Sequence, residues 1–483
     1  MNKNIYNSDI VIFGGHGDLS FRKLIPALYY LVNDNYMDIK SRIILVSRTK
    51  MTSKQNIALI KEKLIEFLNS DHTFDEEQFD KFKDYIYYSL VDFEDEDSFK
   101  NLESLLKEDN QNERIFYFST SSNFYGTICK SLHDYKLIKK DTRVVLEKPI
   151  GKNLESSKKV NDKVLKYFKE EKIYRIDHYL GKDTVQNLLA LRFSNKIFVP
   201  LWDANNIDHI QITLNESVGV ENRWEFYNEY GAMRDMIQNH LLQLVCLLAM
   251  EPPYSIDPNA IRDEKLKVLN SLRVIDDKDA ESQTIRAQYV SGNVEGEEVQ
   301  GYLDGKEIPS NTETFVALKL FIDNFRWSDT PFYIRTGKRM SGKSSEIVIQ
   351  FKSNPFSIFD NYILPNKLVI SLQPKESITL NLMNKVPGLD EKMKLQEVKL
   401  ELNAPRTNVR KYEAYERLLL DVIRANPTLF MRWDEVEAAW RWTDKITSSW
   451  DNNHVQMETY KAGTNGPNSS VAMMAQDGRA WHE

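Results

Sequence analysis

The stretch IVIFGGHGDLS, residues 10–20, decides the fold. Four apolar residues, 10–13, run unbroken into Gly14, Gly15, His16 and Gly17, and then into Asp18, Leu19 and Ser20. An apolar run without alternation suits a strand covered on both faces, and leucines at 19, 24, 28 and 31 have helical spacing. Glycines between such a strand and such a helix let the backbone turn tightly and approach a phosphate at the helix N-terminus.

Working outward, the same grammar recurs at residues 43–46, 87–91, 115–118 and 144–146, with helix-like stretches between the runs. That alternation reads as a parallel sheet with helices on both faces, whose ligands sit beyond the carboxyl ends of the strands. The residues there are the glycine turn, Ser47-Arg48, Ser119-Thr120-Ser121 and Glu147-Lys148-Pro149. A helix pattern at 157–170 leads to a last run, 173–176, and to Asp177-His178. Beyond it, residues 210–214 and 367–372 alternate in period two, as half-buried antiparallel strands do, and long helical patterns appear at 234–250 and 414–424. The expected architecture is an α/β Rossmann-type dinucleotide-binding domain, 1–177, followed by a larger α+β domain with a mainly antiparallel sheet, 178–483. The Gly/Asn/Ser-rich 463–470 is the one stretch that reads as loose.

Composition narrows the function classes. The chain has 483 residues, 41% hydrophobic and 28% charged, with a formal net charge of −7, an ordinary globular balance without the basic footprint of nucleic-acid binding. Cys129 and Cys246, each in an apolar stretch, read as buried free thiols rather than a disulfide. The first residues leave no room for a leader, and the most apolar stretch, 241–250, is too short to span a bilayer, so a cytoplasmic enzyme without membrane or nucleic-acid partners is expected.

Four places could carry chemistry, and each has a plainer reading. The spacing G-x-x-G-x-x-S departs from G-x-G-x-x-G and also fits a simple strand-to-helix turn. Arg48 stands where NAD-preferring sites keep an acid; it suits the 2′-phosphate of NADP, or is a solvated surface charge. Residues 175–182, RIDHYLGK, crowd an acid, basic groups and a tyrosine, while His240 precedes an apolar helix and could be a core histidine. Residues 332–343 form a basic run that could be a solvated turn. Asp18 is read as capping and charge-complementing the new helix's N-terminus, and Pro26 as a kink or break.

The segments GGHGDLSFRKLIPALYYL, VVLEKPIGKNLESS, YRIDHYLGKD, MRDMIQNHLLQ, PFYIRTGKRM, ETFVALKLFIDNFRW and GTNGPNSSVAMMAQDGRAW together resemble the glucose-6-phosphate dehydrogenase family, from residue 10 to the last residues. The resemblance implies oxidation of a sugar phosphate at C1 with hydride transfer to NADP, NAD being a secondary acceptor. It implies His240 as general base and Asp177 as the acid that orients it. Lys148, His178, Tyr179, Lys182, Glu216, Asp235, Lys338 and Lys343 would bind substrate. Gly14, Gly15, His16, Gly17, Asp18, Leu19, Lys23, Arg48 and Lys148 would bind the cofactor, no metal being required. A homodimer or homotetramer is implied as well. His16 and Ser20 depart from the residues common in the family's glycine turn. Two other readings share parts of this pattern: a different sugar oxidoreductase with the Glu147-Lys148-Pro149 element, and an inactive NADP-sensing protein.

Overall fold

Every residue of β1 (Ser8–Phe13) is buried, because its two faces feed two separate cores. Ile10 and Ile12 pack on one side with Leu24, Leu28, Leu31 and Ile60; Val11 and Phe13 pack on the other with Phe99, Leu102, Ile128 and Val164. The unbroken apolar run is thus the sequence trace of a strand with helices above and below. β2 (Arg42–Ser47), β3 (Ile86–Leu90), β4 (Glu113–Phe118), β5 (Arg143–Leu146) and β6 (Ile173–Ile176) join it in a parallel sheet of order 3-2-1-4-5-6. The order reverses between β1 and β4, the place where doubly wound sheets open a ligand crevice.

The structure is a computed structural model and describes residues 5–68, 74–107, 112–359, 363–389, 393–402, 410–452 and 455–482. Its chain forms two compact units: residues 1–182, 254–262 and 410–437 make the first, and 183–253, 263–409 and 438–483 the second. The first unit thus takes in residues 178–182, 254–262 and 410–437, which the sequence pattern places in a second domain, 178–483. Strand Phe430–Met431 pairs antiparallel with β6, and helix Ala414–Ile423 contributes Leu418, Leu419 and Val422 to a core of the parallel sheet. That helix ends on Arg143, whose buried guanidinium donates to the carbonyls of Val422 (2.6 Å) and Ile423 (3.1 Å). Last-turn carbonyls lack intrahelical partners, so an arginine from β5 fastens this helix end to the sheet.

The second unit is built on a nine-stranded sheet, antiparallel except where Ile207–Asn215 meets Phe332–Gly337 and where Glu458–Lys461 meets Thr284–Val290. The stretch expected as one helix at 234–250 is two segments: Met233–Leu241 is π-helical and Leu242–Ala249 is α-helical. The helix expected at 157–170 runs from Leu154 to Leu165, because the Asn153 side chain and Ser156 form a capping box that sets its start. Pro26 does mark a break, standing at the first turn of helix Ile25–Asn33 just after a π-helical turn, Ser20–Leu24. The tail read as loose is ordered: helix Asn468–Gln476 begins within it, and the Trp481 indole donates to Ser470 O at 2.9 Å. Cys129 and Cys246 are buried and form no disulfide, and burial holds the Cys129 thiol far above its usual value.

Candidate functional site

Each unit carries part of the candidate machinery. In the first, the glycine turn lies at the carboxyl end of β1. Gly14 has φ +83°, and a Cβ there would collide with the Ser119 carbonyl at the end of β4. Gly15 backs onto Leu45, where a Cβ would stand 2.8 Å from the leucine Cβ. The Phe21 N–H makes the first helical bond, to Gly17 O at 3.1 Å, so the N–H groups of Asp18, Leu19 and Ser20 precede the hydrogen-bonded ladder, as anion-binding helix starts require. Gly14→Ala adds a left-handed strain of roughly 1–2 kcal/mol to that collision. It is expected to lower both the melting temperature and NADP affinity, which thermal unfolding with and without NADP will read.

Asp18 does not cap this helix. It lies exposed in the first turn, where its charge complements the helix start, and pairs with Arg22 Nε at 2.5 Å, four residues on. The His16 ring is stacked between Phe21 (5.8 Å) and Tyr88 (5.3 Å), and its Nε2 bonds Asn56 Oδ1 at 2.8 Å. Tyr88 also fixes the end of β2: its hydroxyl reaches the carbonyls of Ser47 (3.2 Å) and Thr49 on either side of exposed Arg48. Lys23 is exposed on the helix that leaves the turn. A glycine cradle closed to any side chain, free-running helix N–H groups and a basic residue in place of an acid all fit NADP.

Beyond β5 and β6 stand Lys148, half-buried, and the run from Asp177 to Lys182. Asp177 is fully buried and its Oδ1 accepts the Tyr179 N–H at 2.9 Å. Lys182 Nζ lies 4.6 Å over the Tyr179 ring, and His178 stacks on Tyr415 at 6.3 Å. Gly181 permits the close approach of helix Ala414–Ile423, since a Cβ would meet Ala414 O at 2.8 Å. Sequence reasoning gave Glu147 no role of its own and did not single out Tyr415. The Glu147 carboxylate is buried between the hydroxyls of Tyr117 (2.5 Å) and Tyr415 (3.2 Å), and burial pushes its carboxyl up against those bonds. Nothing in the local pattern of either residue signals that they meet, 268 positions apart.

In the second unit, the π-helical segment carries Asp235 near its start and fully buried His240 near its end. Asn239 braces the turn below the histidine, its Nδ2 donating to Arg234 O at 3.2 Å and its Oδ1 accepting the His240 N–H at 2.6 Å. Lys338 pairs with Glu216 and lies 3.5 Å from Asp235. Burial alone would pull the Lys338 ammonium down, but the Asp235 and Glu216 carboxylates outweigh it and hold it above its usual value. Its cation also faces the Tyr227 ring at 5.2 Å. The structure thus brings together Glu216, Asp235 and Lys338, which spacing in the sequence could not show, and leaves Lys343 exposed five residues beyond, ahead of strand Ser344–Phe351.

Among the described residues no group of three or more His, Cys, Asp or Glu is arranged to hold a metal ion, and no helix is long and apolar enough to cross a membrane. Family models for the NAD binding domain and the C-terminal domain of glucose-6-phosphate dehydrogenase match residues 11–187 and 189–482. The glucose-6-phosphate 1-dehydrogenase of Rhizobium meliloti (strain 1021) is 48% identical over 480 residues, covering 98% of this chain and 97% of its own length. That of Dickeya dadantii (strain 3937) is 46% identical, covering 98% of each chain. A solved glucose-6-phosphate dehydrogenase in complex with its substrate glucose-6-phosphate superposes with a TM-score of 0.90 at 31% identity, over 100% of both chains.

Proposed function

Since the chain belongs to the glucose-6-phosphate dehydrogenase family, we propose that its reaction runs through His240 as general base, with Asp177 stabilising the charged imidazole. The enzyme oxidises D-glucose 6-phosphate at C1 to 6-phospho-D-glucono-1,5-lactone and transfers the hydride to NADP, the first step of the oxidative pentose phosphate pathway. The observation that supports the residue assignment is the buried His240 on the same π-helical segment as Asp235, whose carboxylate meets Lys338 and, through it, Glu216.

His240 takes the C1 hydroxyl proton as the C1–H bond is cleaved; neutral imidazole suits this because its ordinary pKa lies near working pH. Asp177 would favour the imidazolium that results, as an acid behind a histidine base does. Asp235, Lys338 and Glu216 form a set of one cationic donor and two carboxylate acceptors, apt for sugar hydroxyls and neighbouring groups. His178, Tyr179 and Lys182 would hold the 6-phosphate, with Lys343 a further substrate contact and Lys148 at the junction of sugar and cofactor. The backbone of residues 14–19 and the side chains of Lys23 and Arg48 would hold NADP, which when bound supplies the hydride acceptor at nicotinamide C4. NAD is proposed as a weaker acceptor at the same turn.

The deciding experiment compares initial rates with glucose 6-phosphate and with free glucose. If the basic groups grip the phosphate, kcat/KM for free glucose is lower by at least about 10³-fold, since a site built to bond a group strongly rejects the analogue lacking it; equal turnover would sink the substrate assignment. A cytoplasmic homodimer or homotetramer belongs to the same proposal, and light scattering should give two or four times the 56.5 kDa chain mass.

A further inference from the structure

Glu313, at the head of strand Phe315–Leu320, is buried in the second unit and has no part in the chemistry set out above. Its Oε1 accepts the Met233 N–H at 2.9 Å, and its backbone carbonyl accepts the Ala232 N–H at 3.0 Å. Met233 opens the π-helical segment that ends beside His240. The carboxylate therefore sits where first-turn donors lack intrahelical partners and the helix end carries partial positive charge. The preceding helix, Trp224–Ala232, is broken at Gly231, with φ +68° and ψ 177°, and a Cβ there would strike the Glu313 carboxylate. Glycine thus supplies both the backbone turn and the space that the carboxylate fills.

The next residue repeats the theme. Thr314 O accepts the Lys338 N–H at 3.0 Å. The Tyr460 hydroxyl lies 3.2 Å from Thr314 Oγ1 and donates to Lys338 O at 2.6 Å. Two adjacent residues thereby fasten the segment carrying Asp235 and His240 and the turn carrying Lys338, whose side chains meet across 3.5 Å. Burial pushes the Glu313 carboxyl up, opposed by the bond from Met233; a buried acid is costly to keep, and its bonds here go to the helix start.

We propose that Glu313 is a positioning residue for C1 oxidation, clamping the first turn of the π-helical segment so that His240 and Asp235 keep their register with Lys338. The proposal rests on His240 being the base. π-Helical turns are rare and occur mostly at functional sites. Released at Met233, this one can tighten toward the α-helix and swing His240 about the helix axis.

The test measures Glu313→Ala, Glu313→Gln and Gly231→Ala beside His240→Asn. Glu313→Ala is expected to lower kcat by about 10²-fold, the usual cost of a 1 Å misplacement, with NADP binding retained. The deuterium isotope effect from C1-deuterated substrate should rise, because C–H cleavage becomes rate-limiting. Glu313→Gln still offers a carbonyl oxygen to Met233 and should recover to within about fivefold of the parent enzyme. Gly231→Ala displaces the carboxylate and should reproduce the alanine result, which carries the test if Glu313→Ala does not fold. Parent-like kcat in Glu313→Ala or in Gly231→Ala overturns the proposal, as does an equal loss in Glu313→Gln or a loss without a raised isotope effect. Full activity of His240→Asn overturns the base itself; an inactive His240→Asn beside an active Glu313→Ala overturns only the positioning role.

Discussion

Replacing His240 with asparagine is expected to lower kcat by about 10²- to 10⁴-fold, the usual worth of a general base. Asparagine has nearly the shape of the imidazole but cannot accept a proton near neutral pH, so the loss falls on chemistry. His240 is fully buried, which keeps bulk water from standing in for the missing base. Substrate affinity, measured by titration calorimetry, should change little. The pH–rate limb that reports the base should vanish from kcat/KM. Asp177→Asn acts on the same proton, so the double variant should be scarcely slower than His240→Asn alone; full additivity would mean that Asp177 serves another purpose. Turnover within a few-fold of the parent enzyme would remove His240 from the role.

Arg48→Ala is expected to reduce kcat/KM for NADP by about 10- to 100-fold, the value of one or two charge-assisted hydrogen bonds. NAD, which has no 2′-phosphate, should be affected by no more than about twofold, its adenine losing only stacking on the guanidinium. The backbone around Arg48 is held by Tyr88 independently of the arginine side chain, so the substitution should not disturb the turn. Because Arg48 is exposed, the NADP effect should shrink as salt is raised. Steady-state kinetics with both cofactors at two ionic strengths provide the check. Equal loss for NADP and NAD would count against a 2′-phosphate contact.

Legibility in the sequence differed by element. The parallel sheet could be read from its apolar runs, since β1, β2, β5 and β6 are buried along their whole length, β4 at all but its first residue, and only edge strand β3 is partly exposed. The glycine turn was visible too, because Gly14 needs a positive φ and has no room for a Cβ. Asp18 stands in the first turn as a charge complement to the helix start, but whether such an acid caps or pairs four residues on is not legible in sequence, and the structure shows the pair with Arg22. The π-helical register of 233–241 was invisible because its apolar pattern passes for an α-helix, and what holds it lies at Glu313, 80 positions away. Grouping of Glu216, Asp235 and Lys338 depends on strand pairing of the same long-range kind. Glu147 was legible only as part of a strand-end element, because the hydroxyls that close around it, Tyr117 and Tyr415, come from distant parts of the chain.

The return of strand Phe430–Met431 to the edge of β6 bears on how the protein is made. The two partners are about 250 residues apart, so at ribosomal speeds of roughly 5–20 residues per second the first unit waits some tens of seconds for its last pieces. Through that interval the nascent chain presents an uncovered β6 edge and the apolar surface later sealed by Leu418, Leu419 and Val422. Such a chain is a natural client for holding chaperones, and a fragment ending near residue 182 should be prone to aggregate when expressed alone.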